Sequence, residues 1–313
     1  MPERVKALVS ISLCMLFWGV SFVSTRIVLE AFPPMTIGAF RFILACGVLG
    51  LIKMRQDRGA PRKEKLALRD LPALAGAGLL GVTLYFWFEN TGLSLISASE
   101  ASIITGAIPV LAMACEEAEA LLRRGRRGTA RRSPLRGALR WAGALVSMTG
   151  VWLVAKVSFG AGGSLKGYLL MGGACVSWVA YNFFIRTLSE RRSRVYVVFW
   201  QSAAGLAGFI PFTLAEIPFW KAPSPAVIGH LLFLGLLCSA LAYWLYARAI
   251  SSLGIGLVTM FINFIPVVTA LSGIALLGER LSPLQWLGAA LVIGGVVIVH
   301  SLGSSPATSP NET

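Results

Sequence analysis

Ionisable and aromatic side chains set inside long apolar runs are where this chain has the means to do chemistry. Arg41 lies in the apolar run 34–53, and Glu89 and Glu100 lie toward the ends of two others. An ionised side chain at mid-bilayer costs about 2.5–3.5 kcal/mol on insertion scales, so an embedded charge implies a partner or a purpose. Two readings of Arg41 stand: a clamp on main-chain carbonyls or on one of the glutamates, or attraction of an anionic or zwitterionic small molecule. Glu89 and Glu100 are the embedded carboxylates away from the basic loops, which makes them the candidates for proton coupling. Trp18, Trp87, Trp178 and Trp244 sit within apolar runs, with Tyr181, Asn182 and Tyr243 beside them. Aromatic faces joined to a few hydrogen-bonding groups suit a cavity for a small amphipathic molecule; packing between helices is the other reading. Pro109 and Pro266 occupy equivalent places in two runs. A mid-helix proline deprives the carbonyl four residues earlier of its donor, and Thr105 and Asn263 stand nearby as polar neighbours. The pair is expected either to hinge and flank a substrate path or simply to kink two helices.

Other chemistry is missing from the pattern. No GxxxxGK[ST] phosphate loop is present, and His230 and His300 are far apart with no HExxH arrangement. The five cysteines fall in apolar segments without paired spacing, which argues against a disulfide framework or a metal site. We therefore expect no enzyme activity, no metal and no cofactor.

The elements that must carry these residues follow from composition. Of 313 residues, 56% are hydrophobic and 13% charged, against roughly 25% charged in a soluble domain. Mean hydropathy is +0.74. Spans of about 20 apolar residues fit at 6–29, 34–53, 70–91, 95–116, 137–156, 166–187, 194–214, 226–248, 254–277 and 282–301. The fold class expected is therefore an all-α integral membrane protein of ten transmembrane helices.

The chain also repeats itself. Leu139, Trp141, Gly143, Ala144, Gly150 and Val151 return as Leu284, Trp286, Gly288, Ala289, Gly295 and Val296. AIPVL (107–111) returns as FIPVV (264–268), and Trp18 and Arg26 keep the spacing of Trp178 and Arg186. Five spans per copy reverse the second copy in the bilayer. This makes two inverted five-helix repeats, 1–156 and 157–303, followed by a disordered tail, 304–313. Inverted repeats of this kind place a substrate site at the interface of the copies.

The net charge of +14 need not imply nucleic acid. Most Lys and Arg fall in loops on the side of the N-terminus, leaving Lys156, Lys166, Lys221 and Arg280 opposite. That bias puts both termini in the cytoplasm. Partners expected are a small-molecule substrate and the lipid bilayer, with no nucleic acid, in a monomer or homodimer. A membrane receptor or scaffold and an intramembrane enzyme are the alternative functions; the first lacks a large soluble region and the second a catalytic constellation.

The stretch FINFIPVVTALSGIALLGERLSPLQWLGAALVIGGVVIV resembles the closing half of an EamA-type repeat in the drug/metabolite transporter superfamily. Its marks are Pro266, the pair Gly278–Glu279, Trp286 with Gly288, and Gly294–Val296. FWGVSFVSTR (17–26) and GAFRF (38–42) are similar to that family's first two helices. In the first half the Gly-Glu pair is missing, replaced by CEEAEALLRRGRRG. The resemblance implies ten helices in inverted repeats and transport of small metabolites, often outward, across a bacterial inner membrane. Amino-acid-like or amphipathic compounds are the substrates it suggests, moved by alternating access without ATP.

Overall fold

The computed structural model describes residues 3–59, 64–123, 134–160, 164–189, 191–253, 258 and 261–303. The core of the basic insertion, the start of the expected ninth helix and the tail from 304 lie outside them. Among the described residues there are helices and no strands. In chain order the helices are α1 (Glu3–Val28), α2 (Pro34–Gly59), α3 (Leu71–Gly78), α4 (Tyr85–Leu93), α5 (Ala98–Thr105), α6 (Ile108–Arg123), α7 (Pro134–Gly160), α8 (Leu165–Ser189), α9 (Arg194–Glu216), α10 (Pro225–Leu232), α11 (Ala242–Leu253), α12 (Phe264–Leu277) and α13 (Pro283–Gly303). Among the described residues, seven helical runs are long and apolar enough to cross a membrane: Glu3–Val28, Pro34–Arg58, Leu68–Leu93, Ala98–Cys115, Gly137–Val154, Arg194–Phe219 and Pro225–Ile250. Phe264–Leu277 and Pro283–Ile298 are apolar but shorter.

Three expected single helices are composite, and the expected helix 254–277 is likewise broken by a turn at 262–263. Between α3 and α4 the backbone widens into a π-helical stretch, Leu79–Leu84, and between α10 and α11 into a second, Phe233–Leu241. The two stretches precede YFWF (85–88) and AYWL (242–245), which are sequence equivalents. The run 95–116 is broken at Gly106 and Ala107, where the turn closes through Gly106 N–H to Ile103 O and Ala107 N–H to Ile104 O. The reason is Pro109, which cannot donate and so favours a fresh helix start just before it.

Helix ends carry their own signals. Ser97 caps α5 in a reciprocal box with Glu100, Ser193 caps α9, and Ser224 precedes Pro225 at the start of α10. Gly278 ends α12 in the left-handed region at φ 65°, a conformation open to glycine at little cost.

Packing crosses between the first and second halves of the chain. Helix α1 lies against α11 and α12, α2 against α9, α4 against α8, and α7 against α13. The α7–α13 contact is close because the repeated glycines face each other. A methyl group at Gly150 would come within 2.5 Å of the Gly288 carbonyl oxygen, and one at Gly295 within 2.5 Å of Gly143 O. Small residues of this kind let membrane helices approach backbone to backbone.

Candidate functional site

At the centre, where α1, α2, α4, α5, α6, α8, α11 and α12 converge, lies a cavity of about 40 Å³, room for a few waters. Its wall comprises Trp18, Ser21, Phe22, Arg41, Tyr85, Phe86, Glu89, Thr105, Ile108, Trp178, Tyr243, Ile262 and Ile265. The aromatic rings form one continuous cage. Trp18 meets Trp178 and Tyr243 edge to face at 5.6 and 5.7 Å between centroids, and Tyr85 lies 5.0 Å from Trp178. Such pairs contribute about 0.5–1.5 kcal/mol each beyond the area they bury.

The π stretches hold this cage by their main chain. Trp18 Nε1–H donates to Cys238 O at 3.1 Å, and Tyr243 O–H donates to Gly81 O at 3.3 Å. Ser177 Oγ–H on α8 donates to Leu80 O at 2.7 Å. Wide turns in membrane helices often mark functional positions. Here the two equivalent stretches each anchor side chains from the other half.

Two charged groups complete the wall. Arg41 is 2% exposed; its Nε–H donates to Ser239 Oγ at 3.1 Å, and its guanidinium carbon lies 4.3 Å from the Phe86 ring centroid. Glu89 is 4% exposed, and its Oε1 accepts from Tyr85 O–H at 3.4 Å. Arg41 Nη1 and Glu89 Oε2 have no hydrogen-bond partner among the described residues. A buried polar atom left so costs about 1–3 kcal/mol, more when charged.

Of the residues singled out by sequence, the structure brings Trp18, Arg41, Glu89, Trp178 and Tyr243 to one cavity. Tyr181 stands directly behind, 5.0 Å from the Trp178 ring, exchanging hydrogen bonds with Gln201. The remaining candidates lie elsewhere. Trp87 faces outward and is 39% exposed, Trp244 is half-buried beside Arg248, and Asn182 is half-buried outside the cavity wall. Asn263 is buried at the start of α12 with its Oδ1 unpartnered among the described residues. Glu100 is occupied away from the cavity: Oε2 accepts from Ser97 N–H and Oε1 from Gln285 Nε2–H. Pro109 and Pro266 each sit in the first turn after a break, flanked by cavity residues Thr105 and Ile108 in one case and Ile262 and Ile265 in the other. Tyr85, Phe86 and Ser239 were missed. The i,i+4 spacing of Tyr85 and Glu89 was a usable signal for the first; nothing in the sequence marks Ser239.

Carboxylates tie both ends of the bundle. At one end Glu216 accepts from Met35 N–H, Thr36 N–H and Thr36 Oγ–H at the start of α2. Glu279 does the same at the start of α5, accepting from Ala98 N–H, Ser99 N–H and the Ser99 hydroxyl. This gives the Gly-Glu pair a physical account. The left-handed turn at Gly278 folds Glu279 back, and its carboxylate passes over Gly273, where a methyl group would lie 2.7 Å from Oε2. At the other end Glu64 accepts from Ser193 N–H and the Ser193 hydroxyl at the start of α9, while Arg192 pairs with Asp70 at 2.7 Å. Carboxylates at helix N-termini satisfy free N–H groups and the helix dipole.

The sequence pattern of the EamA-like transporter family matches residues 5–118 and 165–301. The chain belongs to the EamA-like transporter family. Family membership and the apolar spans make it a multi-pass membrane protein whose relatives are transporters. A probable terminal-alkyne amino-acid exporter of Streptantibioticus cattleyicolor is 24% identical over 305 residues, covering 94% of this chain and 93% of the relative. YdfC, an uncharacterised transporter of Bacillus subtilis, is 26% identical, covering 95% and 92%. A solved crystal structure shares the fold with a TM-score of 0.62 at 20% identity, covering 96% of this chain and 98% of that one.

Proposed function

We propose that this EamA-family member is a secondary transporter that moves a small amphipathic, amino-acid-like metabolite outward across a bacterial inner membrane by alternating access. In this reading the helices form ten spans in two inverted five-helix halves, 1–156 and 157–303, with both termini cytoplasmic. The observation that carries it is the central cavity, whose wall draws Trp18, Arg41 and Glu89 from the first half and Trp178, Tyr243 and Ile265 from the second. Symmetric elements support the inverted arrangement. The π stretches recur in both halves, as do the breaks before Pro109 and Pro266, and the Glu216 and Glu64 caps sit on sequence-equivalent helix starts at opposite ends.

The carboxylate ties at both ends and the narrow cavity fit an occluded carrier. Opening toward one side would release the ties at that end, with the helix breaks at Pro109 and Pro266 taking up the backbone change. The amino-acid exporter among the relatives is consistent with the substrate class. The experiment is flux from proteoliposomes, paired with a growth challenge of cells with and without the gene by toxic amino-acid analogues and amphipathic drugs. Protection by the gene together with outward flux of the protected compound supports the reading. No flux of any compound in either assay rejects it.

A further inference from the structure

We infer that the cavity is a two-point site for a zwitterion, with Arg41 Nη1 receiving a carboxylate and Glu89 Oε2 receiving an ammonium group. The inference rests on reading this cavity as the transport site and assigns the ends of the substrate within it.

The argument is one of elimination along the wall. Its other polar groups with assigned bonds are already engaged: Trp18 Nε1–H on Cys238 O, Tyr243 O–H on Gly81 O, Tyr85 O–H on Glu89, Ser21 Oγ–H on Trp18 O and Thr105 Oγ–H on Ser102 O. Among the lining residues, only Arg41 and Glu89 hold a buried side-chain atom without a partner among the described residues. One is a cationic donor and the other an anionic acceptor. Both side chains are more than nine-tenths buried, so bulk water does not substitute for a partner.

Each charge is also held by a single hydrogen bond among the described residues that leaves another polar atom available. Ser239 takes the Nε–H of Arg41 from beneath, and Phe86 stacks against the guanidinium. Tyr85 takes one oxygen of Glu89 and leaves the second. Ser239 and Tyr85 are thus positioning residues. No hydrogen bond joins Arg41 to Glu89 among the described residues, so although the two charges attract each other, each keeps an unpartnered atom. A bare cation would leave the guanidinium unmatched, and a bare anion would leave the carboxylate unmatched. A zwitterion satisfies both and brings no net charge into the bilayer. The rest of the wall, Phe22, Ile108, Ile262, Ile265 and the aromatic cage, is apolar, and an apolar body would face it once the cavity widens.

The test uses the full chain in lipid nanodiscs and two probe sets. One is L-phenylalanine, L-phenylalaninamide and 3-phenylpropanoate; the other is L-leucine with its amide and deaminated counterparts. Within at least one set the zwitterion should bind about tenfold or more tighter than either singly charged analogue, since each loss leaves a buried charge unpaired. In Arg41→Gln the zwitterion and the amide should become equal, while discrimination against the deaminated acid persists. In Glu89→Gln the converse should hold. Ser239→Ala and Tyr85→Phe retain both charges and guard against misfolding of the charge variants. Each should weaken zwitterion binding and narrow its selectivity, with Ser239→Thr restoring the wild-type ratio.

Equal binding of zwitterion and singly charged analogues by the wild type overturns the inference. So does selectivity unchanged in Arg41→Gln and Glu89→Gln, or failure of both sets to bind. Parallel flux measurements keep the two readings apart. Transport of a singly charged or neutral compound, with no zwitterion binding, removes the two-point site and leaves the carrier. Zwitterion binding with no flux of any compound removes the carrier and leaves a binding site.

Discussion

Arg41 and Gln201 occupy equivalent positions in the two halves, at the same distance after Trp18 and Trp178, yet they do opposite things. Gln201 is fully buried and closed upon itself: its Nε2–H donates to the Tyr181 hydroxyl at 3.1 Å, and its Oε1 accepts from that hydroxyl at 3.3 Å. Arg41 is equally buried but half satisfied, with one nitrogen on Ser239 and another unpartnered among the described residues beside the cavity. Glu89 has Tyr246 as its counterpart, another neutral group. One half therefore carries a charged, incomplete pair and the other a neutral, complete one. On the proposed reading, a duplicated architecture need not have a duplicated site: the symmetric parts would build the frame, and the departures from symmetry would carry the chemistry.

The comparison breaks most sharply at Arg41→Gln, which makes the first half resemble the second. Flux should fall on the order of a hundredfold, as expected when a charge-assisted contact to substrate is lost from a buried site, while protein abundance in the membrane stays near wild type. Abundance falling in step with flux would mean that Arg41 is a structural clamp.

Glu89→Gln comes next. Flux should drop, and any dependence on an imposed pH gradient should vanish with it. A variant that keeps full gradient dependence would remove Glu89 from coupling. Glu100→Gln is the control, and its gradient dependence should match wild type because its oxygens already hold Ser97 N–H and Gln285.

A different kind of loss is expected at Gln201→Leu. Breaking the closed pair strands the Tyr181 hydroxyl and should destabilise the protein by about 1–3 kcal/mol, read as a lower apparent Tm in detergent. Substrate selectivity per folded molecule should be retained. A changed selectivity would mean that the second half's pair also reads the substrate.

The smallest effect is expected at Trp87→Ala. The ring faces outward at 39% exposure, so flux should change less than about twofold, as for a residue away from the site. A loss as large as that of Trp18→Ala would return Trp87 to the cavity wall.

Much of this was legible in the sequence because lipid imposes a simple rule: an apolar run of sufficient length is a helix, and a charge within it needs a reason. That rule singled out Arg41, Glu89 and Glu100, of which the first two line the cavity, and the repeat singled out Trp18 with Trp178. Facing was not legible. A helix advances about 100° per residue, so Phe86 and Trp87 point to different sides, and matching YFWF to AYWL cannot say which side is inside. The π stretch upstream also shifts the phase by roughly one residue relative to an α count, and nothing in LLGVTL or FLGLLCSAL announces it. The cross-half caps were hidden for another reason. Glu216, Glu279 and Glu64 lie far in sequence from the helix starts they satisfy, and Glu279 was visible only as half of a motif whose purpose became clear once Gly278 turned it back toward α5.

The cage hangs from main-chain carbonyls, which has a consequence for how this protein tolerates inherited change. Substituting Leu80 or Cys238 leaves the oxygen that holds Ser177 or Trp18 in place, so the anchor itself does not depend on the side chain there, although Cys238 is fully buried with its thiol on Phe17 O. Gly81 and Gly235 are fixed by their surroundings, since a methyl group would meet the Tyr181 ring at 2.2 Å at the first and the Leu44 side chain at 2.5 Å at the second. Removing or adding one residue in 79–84 or 233–241 is another matter, because it would rotate every anchor past its ring at once. These stretches should be more rigid in length than in letters, a constraint on counting everywhere and on spelling at Gly81, Gly235 and Ser239.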